Sequence, residues 1–154
     1  MGIIHQKLYQ KQNLASIEMK DYFKNLSESI LDTYGAWEKV DVSIDMPTIE
    51  LDVDTAIPIG LIVNELLTNA LKHAFPNGNT GKVNLSLIKQ NKDTLTLVVT
   101  DNGIGKTIPK TSNGTGFGTQ LISLLTKQLN GTIKEVVQYG TSFIFEFKKI
   151  RYAG

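Results

Sequence analysis

Two alternating runs joined by a polar turn constrain this chain most. Val83, Leu85 and Leu87 alternate with Asn84 and Ser86, Asn91-Lys92-Asp93 reverses the chain, and Leu95, Leu97 and Val99 resume the period of two. That is the pattern of a β-hairpin with one apolar face. Such a face needs a second layer to cover it.

The segments around the hairpin supply that layer. Ile3 to Gln12 reads as the tail of a helix, with Ile4, Leu8 and Gln12 along one face. Ser16 is placed to cap a helix reaching about Tyr34, whose Tyr22, Phe23, Leu26, Ile30 and Leu31 follow the helical period until Gly35 stops it. Val40, Val42, Ile44 and Met46 alternate with Asp41, Ser43 and Asp45 as a half-buried strand ended by Pro47, and Ile49 and Leu51 suggest a short strand after it. Asp52 or Asp54 opens a helix to about Phe75, which requires Pro58 to lie in the first turn.

Beyond the hairpin, the stretch from Asn102 to Thr115 is rich in Gly, Thr and Ser. A helix is expected from Phe117 to Leu129 and a closing hairpin from Ile133 to Val137 and Ser142 to Lys149. Helices set apart from mostly antiparallel strands make an α+β two-layer sandwich.

Composition narrows what this sandwich does. At 154 residues, 41% hydrophobic and 20% charged, the chain makes one domain with a real core. Sixteen Lys and Arg against fifteen Asp and Glu leave a net charge of +1, so no basic excess points to nucleic acid and any bound anion is held locally. The absence of Cys removes disulfides, cysteine-ligated zinc and thiol catalysis, in keeping with a cytoplasmic setting. No apolar run approaches the roughly 18 residues of a membrane span, so the domain is not expected to insert, although its parent protein could be membrane-anchored.

Three segments carry candidate chemistry. On the helix ending at Phe75, about 100° per residue puts Glu65, Asn69, Lys72 and His73 on one stripe, opposite Ile59, Val63, Leu66, Leu67, Ala70, Leu71 and Ala74. The stripe is either a solvated face or a metal-phosphate site, since a hard Mg²⁺ accepts an amide oxygen and Lys offers phosphate a point charge. In Thr100-Asp-Asn-Gly-Ile-Gly105, Asp101 shares strand parity with Leu95, Leu97 and Val99, which aims its carboxylate at the apolar layer. The segment is either a strand-ending turn or a site where Asp101 accepts from an exocyclic amine, with Gly103 and Gly105 admitting a ring. Adenine offers that amine, whereas guanine would set a carbonyl against the carboxylate. In Asn113-Gly-Thr-Gly-Phe-Gly118, glycines at 114, 116 and 118 free backbone N–H groups for phosphate at a helix N-terminus. A Walker Lys and a Rossmann strand-turn-helix are both missing.

The order of these blocks, closed by Gly140-Thr141 between two strands, resembles the Bergerat ATP-binding fold of histidine kinases, DNA gyrase B subunits, mismatch-repair ATPases and heat-shock chaperones. The resemblance runs from about Leu51 to Lys149 and implies about five mixed, mostly antiparallel strands under about three helices. The N box, Asn64-Glu-Leu-Leu-Thr-Asn-Ala-Leu-Lys-His73, is similar to that of a histidine kinase subfamily, and so is the upstream Ile4-His-Gln-Lys-Leu-Tyr9.

Carried over residue by residue, the resemblance implies that Asn69 holds Mg²⁺, Lys72 and His73 face the phosphates or ribose, and Asp101 binds the adenine amine of ATP. Gly103 and Gly105 shape the base pocket. Gly114, Gly116, Phe117 and Gly118 meet the triphosphate, and Thr141 supports Asp101 or a water. Glu65 becomes catalytic beside Asn69, polarising the attacking His or orienting a water. The resemblance also divides the chain into residues 1–13, the end of a dimerisation hairpin, and residues 14–154, the catalytic domain. It implies partners: a phosphoacceptor dimerisation domain, whose His lies outside this chain while His5 is structural, and a response regulator. A Bergerat-type ATPase using Glu65 on water and an anti-sigma-like serine kinase are the alternative readings.

Overall fold

The computed structural model describes residues 16–75, 79–103, 116–148 and 150. Among them, seven strands and three helices alternate in the order β1 (Ser16–Glu18), α1 (Met19–Tyr34), β2 (Val40–Ile44), β3 (Glu50–Asp52), α2 (Val53–Asn69), β4 (Gly81–Lys89), β5 (Leu95–Asp101), α3 (Gly116–Gln128), β6 (Thr132–Val137) and β7 (Thr141–Phe147). Five strands form one sheet in the order β2-β4-β5-β7-β6, while β1 and β3 make a separate two-stranded ribbon. Only the β2–β4 pair is parallel within the main sheet.

The hairpin expected from the alternation is β4–β5, with Leu85 opposite Val99 and Leu87 opposite Leu97. Its apolar face continues across β7 through the Leu97–Phe145 and Leu95–Phe147 pairs. Val83, Leu85, Leu87, Leu95, Leu97, Phe145 and Phe147 are fully buried there. Tyr22, Phe23, Leu26 and Ile30 of α1 and Ile59, Val63, Leu66 and Leu67 of α2 belong to the same core. α2 packs against both α1 and α3. Glycine makes the first of these contacts close: a Cβ on Gly60 would lie 2.3 Å from the Tyr22 hydroxyl. Burial of that phenol pushes its pKa up.

Three local expectations need correction. Ser16 does not cap α1, because Ser16–Glu18 pairs with Glu50–Asp52 and buries Ile17 opposite Leu51. Glu18 is the cap, its carboxylate accepting from the Lys20 N–H at 2.7 Å. Pro58 lies in the second turn of α2, not the first, since Asp52 caps a helix that begins at Val53. The carbonyl that loses its partner there belongs to Asp54, an exposed residue that water can serve. The α-helix itself ends at Asn69, and Ala70–Ala74 forms a π-helical turn before Phe75.

Gly35 stops α1 as expected, in a left-handed conformation at φ 58°. The Ala36 N–H reaches the Leu31 carbonyl at 2.9 Å and the Gly35 N–H the Asp32 carbonyl at 3.2 Å, the paired bonds of a Schellman ending. Asn130 at φ 56° and Gly131 end α3 in the same way, through Lys127 and Thr126. Among the described residues no helix is long and apolar enough to cross a membrane.

Candidate functional site

β5 ends in Asp101, on the side of the strand that carries Leu95, Leu97 and Val99. The residue stands opposite Val83 of β4 and Thr141 of β7, and is half-buried. Burial pushes its carboxyl pKa above the ordinary value of 3.8, while the backbone N–H groups of Gly103 and Thr141 pull in the other direction. The Gly103 N–H donates to Oδ1 at 2.9 Å. An ionised carboxylate has about four acceptor directions. With two backbone donors the group keeps capacity for a further one, and its partial desolvation makes an unmatched acceptor unfavourable.

The backbone beside this carboxylate is fitted tightly. Asn102 is tied to β4 twice, its Oδ1 accepting from the Lys82 N–H at 2.7 Å and its own N–H donating to the Lys82 carbonyl at 3.2 Å. A Cβ built on Gly103 would lie 2.3 Å from the Ala74 carbonyl oxygen and 2.5 Å from its Cβ. The glycine requirement at 103 therefore comes from the end of the α2 segment, which already fills the space a side chain would need. On the other side, a Cβ on Gly140 would lie 2.0 Å from the Asp101 carbonyl oxygen.

The Ala74–Gly103 contact also joins two blocks that the sequence keeps well apart. Along α2 and its π-turn, Glu65 is half-buried and Asn69, Lys72 and His73 are exposed, whereas Leu66, Leu67, Ala70, Leu71 and Ala74 are buried. The polar stripe thus faces outward over an apolar underside. A π-turn closes its hydrogen bonds over five residues where an α-helix uses four, so it has more residues per turn and a helical wheel drawn through Asn69 does not fix the directions of Lys72 and His73.

Gly116, Phe117 and Gly118 lie in the first turn of α3, which begins one residue before the expected Phe117. Gly105 and Gly114 fall outside the described residues, as does His5. A groove of about 370 Å³ beside β4 is lined by Trp37, Glu38, Lys39, Asp41, Lys82 and Asn102, among others. Its mixed charges select no single sign of ligand, and neither Gly103 nor Thr141 lines it.

The family model described as "Histidine kinase-, DNA gyrase B-, and HSP90-like ATPase" matches residues 54–151, the span that holds this carboxylate, the helix end and α3. The chain belongs to this ATPase family. A second model, described as "Histidine kinase", matches residues 1–34. The Blue-light-activated histidine kinase 2 of Erythrobacter litoralis is 31% identical over 152 residues, which is 90% of this chain and 42% of that protein. The nitrate/nitrite sensor protein NarQ of Escherichia coli is 28% identical over 106 residues, 68% of this chain and 18% of that one. The chain therefore spans less than half the length of either relative.

A solved histidine kinase domain of the Erythrobacter litoralis EL346 blue-light-activated kinase superposes with a TM-score of 0.77 at 27% identity, covering 92% of this chain and 69% of that one. The α+β architecture is that of a histidine kinase catalytic domain, and the domain is an ATP-binding one. Sequence reasoning singled out Asp101 and Thr141 but missed Ala74 and gave Gly140 no role. Ala74 was legible only as a member of the apolar arc of its helix, and Gly140 only by its place in the Gly-Thr pair.

Proposed function

We propose that this chain is the catalytic domain of a sensor histidine kinase, passing the γ-phosphate of ATP to a His on a helical dimerisation hairpin, for onward transfer to a response regulator. The observation that carries this is Asp101, a half-buried carboxylate with acceptor capacity to spare, held by the N–H of Gly103, which itself sits against the end of the helical segment that bears Glu65 and Asn69. Relatedness to a histidine kinase over 90% of the chain favours this reaction over water-directed hydrolysis. The domain would work in the cytoplasm, where such regulators reside.

Asp101 accepts the adenine 6-amino group, and Thr141 holds the carboxylate through its backbone. Lys72 and His73 face the phosphates or ribose. The first turn of α3, with Gly116, Phe117 and Gly118, presents its positive end to the triphosphate. Gly105 and Gly114 lie outside the described residues, and the family resemblance alone assigns them to the base pocket and the triphosphate. Among the described residues no three His, Cys, Asp or Glu side chains converge, and the helix end offers the Asn69 amide oxygen and the Glu65 carboxylate. That donor set fits Mg²⁺, which keeps waters and phosphate oxygens as its other ligands, with Asn69 as the protein's own. When bound, Mg²⁺ neutralises charge developing on the phosphates.

In the transfer, an imidazole nitrogen forms a bond to the γ-phosphorus, the bond to the β–γ bridging oxygen breaks, and ADP leaves. Glu65 orients the imidazole and takes up its proton. Catalysis rests on positioning and charge, as phosphoryl transfer generally does. Mixing the chain with γ-labelled ATP, Mg²⁺ and a separate phosphoacceptor hairpin tests the reading. Label on the hairpin that is acid-labile and alkali-stable supports it. Rapid release of free phosphate with no labelled hairpin contradicts it.

Adenine binding should depend on pH in a direction set by Asp101. Protonation replaces an acceptor by a hydroxyl donor facing the amine, so affinity falls as pH drops through the carboxyl pKa, which burial raises from the ordinary Asp value. In the nucleotide-free domain the folded state holds this proton more tightly than the unfolded chain. The stabilisation that follows is present below the unfolded pKa and is lost as pH rises through the folded one. Nucleotide titrations across acidic pH check the binding limb; an affinity that stays flat down to the ordinary Asp value contradicts it.

A further inference from the structure

We infer that Ala74 and Gly140 are positioning residues for adenine recognition, clamping the Asp101-Asn102-Gly103 backbone between the end of the α2 segment and the β6–β7 turn. The inference rests on the proposed contact between Asp101 and the adenine amine.

Each side of the clamp has no free clearance. Ala74, the last residue of the π-turn and 3% exposed, sits where any side chain on Gly103 would go, with its carbonyl oxygen 2.3 Å and its methyl 2.5 Å from that position. Gly140 is buried, and its own missing Cβ would stand 2.0 Å from the Asp101 carbonyl oxygen and 2.8 Å from the Asn102 Cα. Between these two contacts, Asn102 is bound to Lys82 of β4 through both its side chain and its N–H. The tripeptide therefore touches three separate elements.

This immobility reaches the carboxylate directly. The Gly103 N–H that Ala74 holds in place is the donor to Asp101 Oδ1, at 2.9 Å. The Thr141 N–H that follows Gly140 in the chain is the other backbone donor. Moving Gly103 or Gly140 by a few tenths of an ångström re-aims the acceptor. A preorganised acceptor discriminates between bases better than a mobile one, because no ordering has to accompany binding. Neither Ala74 nor Gly140 needs to touch the nucleotide for this to hold.

The test compares adenosine triphosphate with purine riboside triphosphate, which lacks only the 6-amino group, in wild type and in Ala74→Val. Wild type should prefer the amine by about 10- to 100-fold, the range for a hydrogen bond to a charged group. In Ala74→Val that preference should fall towards one while affinity for purine riboside triphosphate is retained. Gly140→Ala, approaching from the other side, should do the same. Ala74→Gly removes the seated methyl without adding bulk and serves as the second variant if Ala74→Val does not fold. An undiminished preference in a folded variant, or equal weakening of both ligands, overturns the clamp alone. A wild type that shows no preference removes the adenine contact on which the clamp depends.

Discussion

Glu65→Gln leaves ATP affinity unchanged and lowers phosphotransfer to the hairpin by about 10² to 10⁴, the range for loss of general acid–base assistance. Glu65 is half-buried on α2, one turn before the exposed Asn69. It therefore stands beside the proposed metal ligand and away from the Asp101-Asn102-Gly103 backbone, which is set against Ala74 at the far end of the π-turn. Gln keeps the size and hydrogen-bonding reach of Glu, but its amide cannot take the proton that the imidazole must shed. Calorimetry of nucleotide binding and single-turnover label transfer separate the two effects. Full transfer by the variant removes Glu65 from the chemistry, and a matching fall in affinity makes it a binding residue.

The second large effect concerns stability. Phe145→Ala should destabilise the domain by about 3–5 kcal/mol, the usual range for removing a buried aromatic ring. Phe145 is fully buried on β7, opposite Leu97 on one side and Ile133 on the other. Its ring stacks on Phe147 with centroids 5.7 Å apart and planes 17° from parallel. A void there would lie under the centre of the sheet, and β7 also presents Thr141 to Asp101. Domains of this size commonly have about 5–15 kcal/mol in total, so the variant should unfold at a much lower urea concentration with an unchanged m-value. A midpoint close to wild type would mean that the two-layer core is not packed as described.

What the sequence made legible was set by how local the signal is. The β4–β5 hairpin, α2 and the β6–β7 hairpin announce themselves because their apolar residues recur at the period of the element. Gly35 declares the end of α1 because only a left-handed residue closes that turn comfortably. Ser16–Glu18 carries one apolar residue, Ile17, and becomes a strand only because Glu50–Asp52 lies alongside it. A Ser before a helical run is then a misleading cap, since strand pairing has already taken it.

The π-turn at Ala70–Ala74 leaves no compositional trace, as the same residues would suit an α-helix. Within the site, Asp101 was legible from strand parity and its half-burial follows from it. The contacts of Ala74 with Gly103 and of Gly140 with Asp101 are tertiary, and no periodicity encodes them. Glycine was visible at 103 and 140, but the neighbours that exclude a side chain there, a helix end at 103 and the Asp101 carbonyl at 140, were not.

The most direct test of the account is calorimetric titration of a non-hydrolysable ATP analogue and of GTP, each with Mg²⁺, into wild type and Asp101→Asn. Binding should be adenine-selective, and the substitution should weaken it by about 1–3 kcal/mol, the range for an unmatched buried polar group. A folded wild type that binds both nucleotides equally, or an Asp101→Asn variant that binds the ATP analogue as well as wild type does, would contradict it.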